Sequence, residues 1–198
     1  MNVFFLSEEP EKCAIEHVDK HVVKMNVEYA QLLSTAHRVL DGTYWEGRST
    51  TGRKVSRFFL EEGELNQKLY LAAHINHPSA KWVRKSKANY DWLYKLWMSL
   101  GREFTYRYGK MHKSIQDLQI YLIDAPANIS DGPFTEPPPA MTQFPECIVP
   151  GDSIKSYRNY YWTAKKDFAV WTKRDKPTWW QDYERKGQQE ASNGNIPV

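Results

Sequence analysis

From Ala14 to Leu40 the chain runs without a single glycine or proline. A run of that length, with the right apolar spacing, commits the chain to a long helix. Val18, Val22, Met25, Tyr29, Leu32 and Ala36 fall on one face when residues are placed about 100° apart. Val23, Val27, Ala30 and Leu33 extend the apolar character round the side. The helix is therefore expected to be buried over most of its circumference. Asp41-Gly42 should end it, with Gly42 as the left-handed residue after the last turn.

One stripe of this helix is polar. His17, His21, Lys24, Glu28, Gln31 and Thr35 follow one another at spacings of 4, 3, 4, 3 and 4. On a helix buried elsewhere, ionisable groups must pair with one another or face a wet cavity. The stripe thus reads as the wall of a cleft. The bland alternative is a solvated face with a Lys24–Glu28 pair at i,i+4. A metal site built from His17, His21 and Glu28, with His74 and His77 joining, is another alternative. The HExxH order is absent, and the reading adopted uses no metal and no cofactor.

The rest of the chain is also mainly helical by pattern. Tyr90, Leu93, Tyr94, Trp97, Leu100 and Phe104 recur at three and four, which predicts a helix from Lys87 or Asn89 to Tyr108, ended by Gly109. Asp152 or Ser153 should cap a helix running to about Trp171. Ser79 should cap a short helix, Ala80 to Lys85, after the His77-Pro78 break. Residues 56–73 read as weakly helical, interrupted near Gly63, and 43–54 as a loop. Asn2 to Leu6 reads as a short buried strand or an extended arm, and Ser114 to Ile123 as the only other candidate strand. Seven prolines between 124 and 151 imply a long loop, a lid or a wrap over the body. The expected fold class is mainly α: a compact single-domain helical bundle over 1–186, with a proline-rich loop at 124–151 and little or no strand. Residues 187–198 should form a flexible tail.

The net charge of +3 hides an uneven distribution. Residues 81–117 hold nine Lys/Arg against three Asp/Glu, and residues 155–186 hold nine against four. Both segments are rich in aromatic residues, which account for 14% of the chain. Cations interleaved with aromatic rings suit a polyanion partner whose bases can be stacked. Lys155, Arg158, Lys165, Lys173, Arg174 and Lys176 are the candidate phosphate contacts, and Trp179, Trp180 and Tyr183 the candidate stacking surface. Neutralising about five phosphates predicts a log–log salt slope of roughly −4 to −5 on duplex DNA. The two cysteines, Cys13 and Cys147, provide neither a disulfide framework nor a metal motif, which fits a reducing cytoplasm. No apolar run approaches a membrane span, and the first residues lack the basic flank of a signal peptide.

Asp19-Lys20-His21, with Glu28 seven residues past the histidine, resembles the pyrimidine-dimer DNA glycosylases of T4-type phages. Lys176-Pro177-Thr178-Trp179-Trp180-Gln181-Asp182-Tyr183 looks like that family's C-terminal aromatic segment, which lies at the DNA. Tyr90 to Lys110, ending near Arg107-Tyr108-Gly109, looks like its second long helix. The resemblance implies a helical fold, double-stranded DNA as partner, a phage-infected bacterium as setting, and Glu28 as the catalytic carboxylate. There are departures. The family's nucleophile is the α-amine of a threonine exposed by removal of the initiator methionine. Here Asn2 follows Met1, and so large a second residue usually leaves the methionine in place. The arginines that flank the family's glutamate are also missing, since Val27 precedes Glu28 and Gln31 lies three beyond it. The chain is longer by about a third, mostly through residues 41–75 and the proline-rich loop.

In such chemistry an amine attacks C1′ of a deoxyribose and forms a Schiff base, while a carboxylate protonates the sugar ring or steadies its positive charge. Glu28 suits the carboxylate. The amine is either the N-terminus or Lys24, one turn from Glu28. His21 would hold Glu28 or relay a proton, with His17 behind it. Three other functions remain open from sequence: a phage transferase that installs or processes a modified base, a non-enzymatic DNA-binding or host-inhibiting protein, and a metal hydrolase.

Overall fold

In the computed structural model, residues 1–193 are described. The chain begins with an extended arm whose residues Val3 to Leu6 are buried, with no ladder partner. Helix α1 (Pro10–Glu16) opens with its proline in the first turn, where no amide hydrogen is needed. The predicted long helix is α2 (Asp19–Asp41). It starts after a break at His17-Val18, so His17 belongs to the end of α1 and not to the α2 stripe.

Gly42 ends α2, though not in the left-handed conformation. Its φ is −94°, and a Cβ there would meet the Arg38 carbonyl at 2.4 Å and the Phe59 carbonyl at 3.1 Å. Gly42 is needed because two backbones pass close together. The reason is a correction to the expected loop: residues 43–59 form an antiparallel hairpin, β1 (Thr43–Arg48) with β2 (Lys54–Phe59), paired from Thr43 opposite Phe59 to Arg48 opposite Lys54. Gly52, at φ +79°, makes its tip.

Two short helices follow, α3 (Glu64–Lys68) and α4 (Pro78–Val83). The cap of α4 is the His77 side chain, which accepts from the N–H of Ser79, the residue that the sequence pattern points to as the cap. Helix α5 (Lys87–Tyr108) is capped by Ser86 and ends at left-handed Gly109. The candidate strand at 114–123 is instead helix over its first half, α6 (Lys113–Leu118), and turn over the rest. Residues 125–144 carry neither helix nor strand. Asp152 caps α7 (Ser153–Lys165), which passes into a 3₁₀ turn at Lys166–Phe168. Helix α8 (Thr178–Asn193) takes up much of the expected tail. Residues 194–198 of that tail lie outside the described residues.

Helices α2 and α5 pack along each other, with α1, α4 and α6 against them. Asn26 and Trp97 tie the two long helices, the indole N–H donating to the Asn26 carbonyl at 2.9 Å. Gly101 lets α6 approach, since a Cβ there would meet Ile115 at 2.5 Å. A buried ionic chain fixes the α2 N-terminus. Arg107, fully buried, pairs with Asp19 and with Glu103, each at 2.7 Å, and Glu103 takes Arg174 at 2.8 Å. Asp19 also accepts from the Thr172 hydroxyl at 2.6 Å. The fold is thus mainly α with one two-stranded sheet. Among the described residues no helix is long and apolar enough to cross a membrane.

Candidate functional site

The N-terminal arm is held by its own backbone. Cys13 donates its thiol hydrogen to the Phe4 carbonyl at 3.1 Å and lies 3.4 Å from the Leu6 amide. The Tyr29 hydroxyl accepts from the Phe4 amide at 3.2 Å. Arg158 donates twice to the Leu6 carbonyl, at 2.7 and 3.0 Å. These bonds leave Phe4 stacked on His21, with ring centroids 4.3 Å apart. They also bring Met1 onto α2, where its α-amine lies 3.5 Å from Glu28 Oε2. Lys24 Nζ takes the other oxygen at 3.1 Å.

A pocket of about 250 Å³ opens at this point. Its wall joins distant parts of the chain: Met1, Phe4, His21, Lys24 and Glu28, with Ala140 from the proline-rich segment and Tyr160 and Lys165 from α7. The volume lies below the roughly 300–1,000 Å³ that drug-sized ligands occupy. It has room for one sugar or one ring system. A second cavity, of about 570 Å³, is lined by Asp41, Glu61, Glu62 and Glu64. Four carboxylates crowd that cavity, whereas the smaller pocket sets Lys24 and Lys165 beside the single carboxylate of Glu28.

The pocket's histidine is neutral. Burial pushes the His21 pKa down to about 2, and the neighbouring His17, Lys165 and Lys24 push the same way. Its Nδ1 lies 2.6 Å from the Tyr161 hydroxyl. His17 is further in and serves the fold. Its Nδ1–H donates to the Cys13 carbonyl at 2.7 Å, so its Nε2 accepts from the Tyr29 hydroxyl at 2.9 Å. Burial, the dominant cause, lowers its pKa to about 4. Both nitrogens are used, and His17 is fully buried, so its expected place on the cleft wall is corrected. His77, which caps α4, feels the charges at the pocket. Burial lowers its pKa first, then the Met1 amine and His74, while Glu28 opposes them.

The expected stripe is therefore brought together in part. His21, Lys24 and Glu28 line the pocket. Gln31 and Thr35 are covered by the segment after α3: Gln31 donates to the Leu71 carbonyl, and Thr35 accepts from the Ala73 amide. Val23 and Val27, expected to be buried, are exposed. Among the described residues no group of three or more His, Cys, Asp or Glu side chains is placed to hold a metal ion.

The expected stacking surface is corrected most strongly. Trp179 and Trp180 are only 6% and 3% exposed. They pack edge-on against Tyr161 and Trp171, at 6.2 and 5.0 Å, and what remains of Trp179 lies under Arg158 at the wall of a cavity of about 270 Å³ shared with Lys155 and Tyr183. Tyr183 is half-buried, with its hydroxyl 2.5 Å from Asn159 Oδ1. Several expected phosphate contacts are also engaged. Arg174 is bound to Glu103, Arg158 to the Leu6 carbonyl, and Lys176 to Glu184 at 2.6 Å. Lys173 donates to the Tyr106 carbonyl at 3.2 Å. Lys155 is exposed, and Lys165 reaches the pocket over the Tyr160 ring.

Sequence reasoning missed that Lys165, Tyr160 and Ala140 reach the pocket at Glu28. No local signal carries this, because the three come from two segments far from Glu28 in the chain. No family model, curated protein or solved structure matches the chain.

Proposed function

We propose that the chain is a DNA-acting enzyme of the glycosylase type, in which an amine held against Glu28 attacks C1′ of a deoxynucleotide. The observation that carries the reading is the Met1 α-amine, 3.5 Å from Glu28 at the edge of a cation-rimmed pocket. The resemblance to phage pyrimidine-dimer glycosylases adds the DNA partner and the phage-infected, cytoplasmic setting.

The chain holds two amines at Glu28. The Met1 side chain is 7% exposed and that of Glu28 18%, whereas that of Lys24 is 67% exposed. Met1 is the more enclosed of the two residues, and its α-amine is fixed beside the pocket by the seated arm, so attack is assigned to Met1. Lys24 then holds the second carboxylate oxygen. Glu28 takes a proton from the α-ammonium, and the free amine adds to C1′. The glycosidic bond from C1′ to the base breaks, and the base leaves with the bonding pair and takes the surplus proton of the newly bound amine. The proton on Glu28 then passes to O4′ as the C1′–O4′ bond opens, leaving a Schiff base. Loss of a C2′ proton and of the 3′ phosphate would break the strand, and water would release the amine. His21, neutral and stacked on Phe4, keeps the pocket wall fixed beside Glu28.

The test is borohydride trapping on a duplex with an abasic site, followed by peptide mapping. The expected adduct is on the Met1 α-amine. Glu28→Gln should slow trapping by about 10²-fold or more, with duplex affinity within a few-fold. Lys24→Ala should keep the adduct. Absence of any adduct, or full activity of Glu28→Gln, overturns the reading; an adduct on Lys24 overturns the choice of amine.

A further inference from the structure

The hairpin β1–β2 is covered on neither face. Pairs alternate between faces in a two-stranded ribbon, so Trp45, Val55, Arg57 and Phe59 share one side, and Tyr44, Glu46, Arg48, Lys54 and Phe58 the other. Trp45 and Phe59 are 45% and 44% exposed, and Tyr44 on the opposite face is 52% exposed. An isolated two-stranded ribbon is marginal in water. This one is pinned only at its base. Arg38 of α2 donates to the Phe58 carbonyl at 3.0 Å and, beside it, to Asn66 and the Leu69 carbonyl.

The ribbon is also cationic. Residues 43–59 contain Arg48, Arg53, Lys54 and Arg57 against the single carboxylate of Glu46. Glu46 is neutralised within the ribbon, by Lys54 at 2.8 Å. Among the described residues the three arginines have no carboxylate partner; Arg48 and Arg57 bond only to nearby carbonyls, each at 2.9 Å. The six-membered ring of the Trp45 indole lies over Gly47, where a Cβ would meet it at 2.1 Å, so only glycine leaves room for it there. The rest of the indole is open on the ribbon surface.

We propose that this hairpin is a DNA-binding arm that enters the major groove of the duplex whose nucleotide occupies the Glu28 pocket. Resting on the DNA reading above, the proposal gives that reading the interface which the buried Trp179 and Trp180 cannot supply. Charge complementarity selects the occupant: three guanidinium groups without a carboxylate partner, on a thin ribbon, fit a polyanion, and the major groove admits a two-stranded ribbon. The arm's place in the fold gives a distance. From Glu28 to the base of the hairpin α2 rises about 20 Å, at about 1.5 Å per residue. Arg48 and Arg53 lie at the far end of the ribbon, about 20 Å beyond its base at about 3.3 Å per residue, so the arm meets the duplex away from the pocket.

The test compares the full chain with R48A/R53A and W45A, each confirmed folded by its melting curve and circular dichroism. Binding to a duplex of about 30 base pairs containing one abasic site is measured against salt, and the complexes are footprinted with hydroxyl radical. R48A/R53A should lower the log–log salt slope by about 2, near 0.9 for each phosphate that an arginine no longer neutralises. It should also lose a patch of protection outside the abasic site while keeping protection at the site. W45A should weaken binding without changing the slope. An unchanged slope and footprint in R48A/R53A overturns the arm, as does a change confined to self-association in sedimentation. If the arginines govern DNA binding but the wild-type chain never traps, the arm stands and the glycosylase reading falls.

Discussion

At the scale of single residues, His21 defines what the pocket can do with a proton. Its pKa, held near 2 by burial and by neighbouring positive groups, keeps it neutral throughout the working range. A group that never charges cannot shape a pH–rate profile. Trapping rates between pH 5 and 8 should therefore show no inflection that disappears in His21→Gln. An inflection near 6.5 that this substitution removes would show that His21 is charged in the working site. His21→Ala should slow trapping by less than Glu28→Gln, because it removes a wall and leaves the carboxylate. The same residue shows what sequence can reveal. His21, Lys24 and Glu28 share one helical stripe, and helical periodicity alone brings them together. His17 fits the same wheel but drops out, because the chain turns at His17-Val18 and both ring nitrogens are taken by the core. Spacing cannot report a break that tertiary bonds impose.

At the scale of elements, α8 carries the clearest departure from expectation. A Trp-Trp pair beside lysines reads as a stacking surface, but Trp179 and Trp180 close the core against Tyr161, Trp162 and Trp171. Changing either to alanine should cost about 3–5 kcal/mol of stability, measured by chemical denaturation. A fully stable double variant that lost only DNA binding would restore the surface role. Arg107→Ala should be comparably damaging, at about 3–5 kcal/mol, because it leaves Asp19 and Glu103 without their shared partner. The long helices α2 and α5 are legible in the sequence because their apolar periods are long and their stops are marked by glycine. The hairpin is not. Thr43 to Phe59 has both faces exposed, so it lacks the in–out alternation by which a strand is recognised. The pocket is half legible: its α2 wall follows from periodicity, whereas Lys165 and Ala140 reach it from more than a hundred residues away in sequence.

At the scale of the whole molecule, buried neutral histidines couple folding to pH. His17 titrates at about 4 in the folded chain and near 6.5 when unfolded. Below 6.5 the unfolded chain takes up a proton that the folded chain refuses, so stability falls with decreasing pH. The loss begins near 6.5 and is complete near 4, and His17 alone accounts for about 3 kcal/mol. His21 adds a loss of the same sign. Thermal melts between pH 7 and 4 should show this decline, and His17→Gln should flatten it; an unchanged slope in His17→Gln would remove His17 as the cause. The thiol beneath the N-terminal arm offers a view of the same molecule in time. Burial raises the Cys13 pKa to about 12, and its sulfur is bonded to the arm's backbone. While the arm is seated, Cys13 is a poor nucleophile with no route to a reagent. Each alkylation of Cys13, told apart from that of Cys147 by mass mapping, therefore records one opening of the arm. The labelling rate becomes a clock for how often Met1 leaves Glu28, readable without substrate and without substitution.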